Sequence, residues 1–138
     1  LVWPPSAEAS DRNWVLFYRA GVVHAIFSVE PHLVLQLGAS GLCVERHRTS
    51  NGVFSHRFSR RAIHGGANPL LVSSANGKRC YFLGVMHTKD GALHYENYAY
   101  TFSADPPFRV LSLARQPLSL RGQRVRFVSS LERRQLEL

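Results

Sequence analysis

The chain has 138 residues, enough for one domain with a sizeable core, and its 17 Lys and Arg against nine Asp and Glu leave a formal net charge of +8. That surplus suits an anionic partner such as nucleic acid, phosphate or a nucleotide sugar. The basic residues are scattered, however, in pairs such as Arg60-Arg61 and Arg133-Arg134, with no run of five or more, which argues against a nucleic-acid-binding arm. Two cysteines, Cys43 and Cys80, exclude a disulfide framework; both lie in apolar strand-like runs and are expected to be buried thiols, with a single disulfide left open. Neither Cys-x-x-Cys nor His-Glu-x-x-His spacing occurs, so no metal site or cofactor is expected. No apolar stretch has membrane-spanning length and no signal-peptide pattern is present. The chain opens on Leu1 and reads as a piece of something longer, with no signal for its localisation.

Residues 1–10, with two prolines, are expected to be an incoming loop. Trp14-Val15-Leu16-Phe17-Tyr18 is a short aromatic and β-branched run that predicts a buried strand. A turn at Arg19-Ala20-Gly21 leads into a strand over 22–28. Glu30-Pro31 breaks the pattern, and alternation resumes over 32–37. Gly38 to Gly41 turn the chain into a fourth strand over 42–47. Residues 48–61 are polar without sustained periodicity and predict a long loop, with a short edge strand over 52–58 at most.

Next comes Ile63-His64-Gly65-Gly66-Ala67-Asn68-Pro69, a loop whose paired glycines permit either a tight turn or close approach of a ligand or another strand. Asn76-Gly77 between apolar runs predicts a hairpin of 70–75 with 78–87 through a type I′ turn. Strands over 93–102 and 108–114 follow, with prolines confined to the connections. A further strand-like run covers 124–131, and 131–138 suits a terminal turn or short helix.

Val15, Leu70 and Val125 open comparable runs 55 residues apart, and the first two intervals each hold about four strands. Four-stranded repeats at such spacing are the pattern of β-propeller blades, although regular short strands also suit a sandwich. The fold expected is all-β, a single partial propeller of antiparallel four-stranded blades, with units of about 11–60 and 61–118 and the start of a third over 119–138.

Several stretches in order resemble a known group. They are Asp11-Arg12-Asn13-Trp14, Val29-Glu30-Pro31-His32, His64-Gly65-Gly66-Ala67-Asn68-Pro69, Val85-Met86-His87, Tyr98-Ala99-Tyr100-Thr101-Phe102 and Pro106-Pro107-Phe108. Together they resemble five-bladed carbohydrate-active propellers, the β-mannoside phosphorylases and hydrolases of glycoside hydrolase family 130 and the related β-1,2-mannosyltransferases. The resemblance implies a β-propeller that transfers a glycosyl group to an acceptor or to phosphate. It implies a glycan, sugar nucleotide or phosphate as ligand, bound by Arg12, Asn13, His64, His87 and Tyr95, with Gly65, Gly66 and Asn97 shaping the pocket. Guanidinium, imidazole and phenol groups are suitable donors to phosphate oxygens.

The chain departs from the family pattern at His64, where an arginine is usual, and at Ala67, where a threonine is usual. The family's general acid belongs to a blade this chain does not contain. The chain is therefore expected to need a second copy or the remainder of a propeller. Among its own carboxylates, Asp90 and Asp105 read as turn formers, and Glu96 is the weak candidate for a catalytic group facing the channel. Trp14, Tyr81, Tyr98 and Tyr100 read as packing residues before sugar platforms. A non-catalytic glycan- or protein-binding propeller fragment is the alternative reading, and polyanion binding a weaker one.

Overall fold

A computed structural model of the chain describes residues 13–58, 61–92, 94–119 and 128–133. They are all-β, with nine strands and one short helix among them. Strands β1 (Val15–Arg19), β2 (Val22–Ser28), β3 (His32–Leu37) and β4 (Cys43–Thr49) form an antiparallel meander in chain order, and α1 (Gly52–Arg57) follows it. The second sheet contains β5 (Ala62–Gly65), β6 (Leu70–Ser73), β7 (Cys80–Lys89), β8 (Tyr95–Ser103) and β9 (Val110–Leu113). Its order is β5-β7-β8-β9, with β6 also pairing β7. Because β5 lies along Met86–Lys89 and β6 along Cys80–Leu83, the two act as one edge strand broken at residues 66–69. The second sheet is therefore also four strands wide.

Local chemistry explains the connections. Ala20 and Gly21 both take positive φ, 50° and 82°, which makes the β1–β2 link a two-residue primed turn whose twist suits a hairpin. The Asn76-Gly77 hairpin forms, but not through the expected type I′ turn. Only Gly77 takes positive φ, and its N–H bonds to the Ser74 carbonyl at 2.8 Å while the Asn76 side chain accepts from the Lys78 N–H. The Asn76 side chain thus supplements the backbone bonds of the turn, and positive φ is required at one residue alone.

Three further expectations are corrected. Residues 52–57 form α1 rather than an edge strand. Phe54 and Phe58, four residues apart, meet at 6.4 Å between ring centroids and are both buried. Six residues are too few to register as a helical period, so only that spacing reveals the helix. Residues 128–131 carry no strand, while 124–127 and 134–138 lie outside the described residues. Cys43 is exposed, Cys80 is half-buried and both are free thiols. β4 is an edge strand with solvent on its outer side, so the apolar run Leu42-Cys43-Val44 is not buried.

The core lies between the two sheets. Phe17 of β1 is its hub, with ring centroids 4.7 Å from Phe82, 5.5 Å from Phe102, 5.4 Å from Phe108 and 5.0 Å from His24. Ile26, Val34, Met86, Tyr98 and Tyr100 complete it, so Tyr98 and Tyr100 do serve as packing residues. Phe108 is held in a left-handed backbone conformation, φ 58°, which costs a non-glycine residue of order 1–3 kcal/mol. Burial of its ring and the bond from its N–H to the Asp105 carbonyl offset that cost. Truncating the hub (Phe17→Ala) is expected to lower the unfolding free energy by about 3–5 kcal/mol in urea denaturation. Leu111→Ala, at an exposed position, is expected to stay within about 0.5 kcal/mol.

Candidate functional site

Of the residues singled out by sequence, His64, His87, Tyr95 and Asn97 come together at one end of the second sheet. His64 of β5 and His87 of β7 are register partners, as are His87 and Asn97 of β8. Alternation along the strands puts the three on one face with Tyr95, the face away from the first sheet. The imidazole rings of His64 and His87 are 5.4 Å apart, and the Tyr95 ring is 5.7 Å from His87. Lys89 adds a cation over Tyr95, 6.0 Å from its centroid. His64 and Tyr95 are half-buried, whereas His87 and Asn97 are buried.

Asn97 is occupied structurally. Its side-chain carbonyl accepts from the Val128 N–H at 2.9 Å and its backbone carbonyl from the Leu118 N–H at 2.7 Å. The paired glycines are likewise explained by protein neighbours. A Cβ on Gly65 would sit 2.9 Å from the Asn13 carbonyl oxygen, and one on Gly66 would sit 2.8 Å from that of Val128 and 2.9 Å from that of Val85. Real Cβ atoms do not approach backbone oxygens so closely. Of the two readings open in the sequence, close approach of other chain segments is the one this geometry displays. Asn13 takes part through its carbonyl, and Arg12 lies outside the described residues.

Glu96 is not with the histidines. It alternates with Tyr95 and Asn97 and so projects from the opposite face of β8. There its carboxylate accepts from the Arg61 guanidinium and, at 3.0 Å, from the Tyr98 hydroxyl. Burial and that carboxylate push the Tyr98 hydroxyl above its ordinary range. Asp90 is the turn former expected, accepting from the Ala92 and His94 N–H groups at 2.9 and 3.0 Å. Those bonds, the one from His94 foremost, hold its carboxyl below the usual value. Asp105 faces Arg19 at 3.5 Å, and Glu30 accepts from the Asn51 N–H at the start of α1.

Sequence reasoning missed a second histidine group on the inner face of the first sheet. His24 and His47 set their rings against Phe108 at 5.0 and 5.2 Å, and His32 Nδ1 lies 2.9 Å from the Phe108 carbonyl oxygen. The signal was the alternation His24-x-Ile26 and His32-x-Val34, which places each histidine on the face of a core residue. Neither a protein-family model, a curated protein nor a solved structure matches the chain.

Burial lowers both His32 and His87 to about 4, with the neighbouring His64 contributing at His87. Both are therefore neutral at pH 7, and His87 brings no positive charge to the row. Unfolded histidine takes up its proton near pH 6.5 and the folded groups only near 4, so the unfolded state binds more protons between those values. Stability is fully present above about pH 6.5 and falls as pH drops toward 4. Urea midpoints measured from pH 7.5 to 4 are expected to decline across that window, with a shallower decline in His32→Gln.

Proposed function

We propose that the chain is a non-catalytic glycan-binding part of a β-propeller-like stack of four-stranded sheets. Its ligand contacts would come from the His64, His87 and Tyr95 row. The stack itself is suggested by two sheets of equal width in face-to-face contact, with a third chain segment at Val128 on the far side of the second.

The observation that carries the binding reading is the fate of the carboxylates. Glycosidic chemistry by protein groups asks for an acid and a base flanking one bond. Here Glu30, Asp90, Glu96 and Asp105 each hold a turn, a helix start or an arginine, and Glu45, 3.7 Å from His47, belongs to the first sheet and not to the histidine row. The row itself suits neutral hydroxyl groups. Its imidazole edges and phenol donate and accept hydrogen bonds, and the half-buried Tyr95 ring gives an apolar platform for a sugar ring. The second reading, transfer of a glycosyl group to an acceptor or to phosphate, would require the acid to come from beyond the described residues. The polyanion reading draws no support from Arg19, Arg57, Arg61 and Arg133, which are bonded to carbonyl or carboxylate oxygens of the protein, and would rest on exposed cations such as Arg46 and Arg48.

Thermal unfolding in the presence of a β-mannoside, GDP-mannose, inorganic phosphate and an oligonucleotide tests the proposal. A ligand at one hundred times its dissociation constant adds about 2.7 kcal/mol, and a domain of this size then melts roughly 10 °C higher. The mannoside is expected to raise the melting temperature, with His64→Ala and Tyr95→Ala abolishing the effect. A rise with the oligonucleotide alone would contradict it.

A further inference from the structure

We propose that the connection between β8 and β9 is an acid-released strap: its tip, Phe108, is latched against the first sheet by His24, His32 and His47, and acid frees residues 104–108 while both sheets stay folded. The three histidines come from neighbouring strands and meet Phe108 from different sides. The rings of His24 and His47 stand edge-on to its ring, at 5.0 and 5.2 Å with interplanar angles of 65° and 80°. His32 Nδ1 lies 2.9 Å from its carbonyl oxygen. Each histidine also keeps one nitrogen buried without a hydrogen-bond partner among the described residues: His24 Nδ1, His32 Nε2 and His47 Nε2. Folded interiors rarely leave one such atom unpaired, and here three surround a single side chain. The Phe108 carbonyl can only accept, so His32 Nδ1 carries the hydrogen, and a second proton would go to Nε2, where the rings of Tyr100 and Phe102 pack. A charged His24 would likewise hold an N–H at Nδ1 with neither an acceptor nor water to receive it.

The groups around the latch do little to hold a charge there. On β4, Glu45 is 3.7 Å from His47 but largely exposed, and β3 sets the neutral Gln36 beside His24. Arg19 of β1 is turned to the strap itself, bonding the Ala104 carbonyl and facing Asp105, while Arg109 is exposed. From β8 comes Tyr100, whose hydroxyl burial pushes up. Burial holds both His24 and His32 below the ordinary histidine value. The strap is also built to move as a unit. The Ser103 N–H bonds the Arg109 carbonyl at 2.8 Å and closes its base, so residues 104–108 can leave while β8 and β9 stay paired. Phe108 sits at φ 58°, and leaving the latch relieves that backbone strain. Once uncovered, His24 and His32 take up protons near the ordinary value of about 6.5. The released form thus binds protons that the latched form excludes, and its share grows as pH falls below that value. Release empties a slot bounded by Phe17, His24 and His47.

Amide hydrogen exchange of the whole chain, followed by NMR at pH 7 and pH 5 in dilute urea and corrected for the intrinsic effect of pH, reads the latch directly. The reporter is the Phe108 N–H, which bonds the Asp105 carbonyl. A local release exposes little surface, so its exchange is expected to be insensitive to urea, whereas amides of β7 and β8 exchange more slowly and accelerate with urea. Protection of Phe108 is expected to fall at least tenfold from pH 7 to pH 5. A shift of His32 from about 4 in the latched form to the ordinary value supplies a factor of about 20 by itself. In His32→Gln and in His24→Phe the step is expected to shrink at least threefold. His24→Phe keeps a ring against Phe17 and Phe108, so it keeps the test open if His32→Gln does not fold. Protection at Phe108 that is independent of pH, that shares the urea dependence of β8, or whose step survives both substitutions overturns the proposal.

Discussion

The close backbone contact at Gly65-Gly66 is the constraint on which the arrangement depends. Two consecutive residues without side chains let the chain pass between the segment entering β1 and the segment at Val128, with backbone oxygens where side chains would otherwise stand. Beside this step, the Asn68 side chain accepts from the Leu16 N–H at 2.9 Å, joining the second sheet to the edge of the first. Three parts of the chain, at about residues 13–16, 65–68 and 128, are thereby brought to one place. The same step breaks the edge strand into β5 and β6 and sets His64 beside His87. The putting together of the histidine row is thus a consequence of how the sheets meet.

The rest of the core follows from that meeting. Phe17 can touch Phe82, Phe102 and Phe108 only because β1 lies over β7 and β8. The connection between β8 and β9 then reaches back to the first sheet, where Arg19 bonds the Ala104 carbonyl at 3.0 Å and His32 meets the Phe108 carbonyl oxygen. Polar groups thereby hold a connection that carries no regular structure, while its one aromatic ring is buried. The cost is two strongly shifted histidines, His32 here and His87 at the far end, which tie the stability of the fold to pH.

Much of this was legible in the chain. β2 and β3 were readable to the residue, since turn formers bound alternating runs on both sides. The hairpin at Asn76-Gly77 was readable, but its turn type was not, because Asn-Gly is equally compatible with a turn in which the Asn76 side chain accepts from the Lys78 N–H and only Gly77 takes positive φ. Helix α1 was hidden by its brevity. The site was legible as a set of residues and not as an arrangement. Spacing along β8 placed Glu96 next to Tyr95, and adjacency in a strand means opposite faces, so the acid and the histidines cannot share a pocket through that strand.

Whether the glycine step exists for packing between chain segments or for the approach of a ligand can be decided by one substitution. Gly66→Ala should lower the urea midpoint substantially, by about 1–3 kcal/mol in free energy, since an added methyl must displace two backbone oxygens. That loss should be the same with and without a saturating glycan. Unchanged stability, with loss confined to ligand binding, would contradict the account.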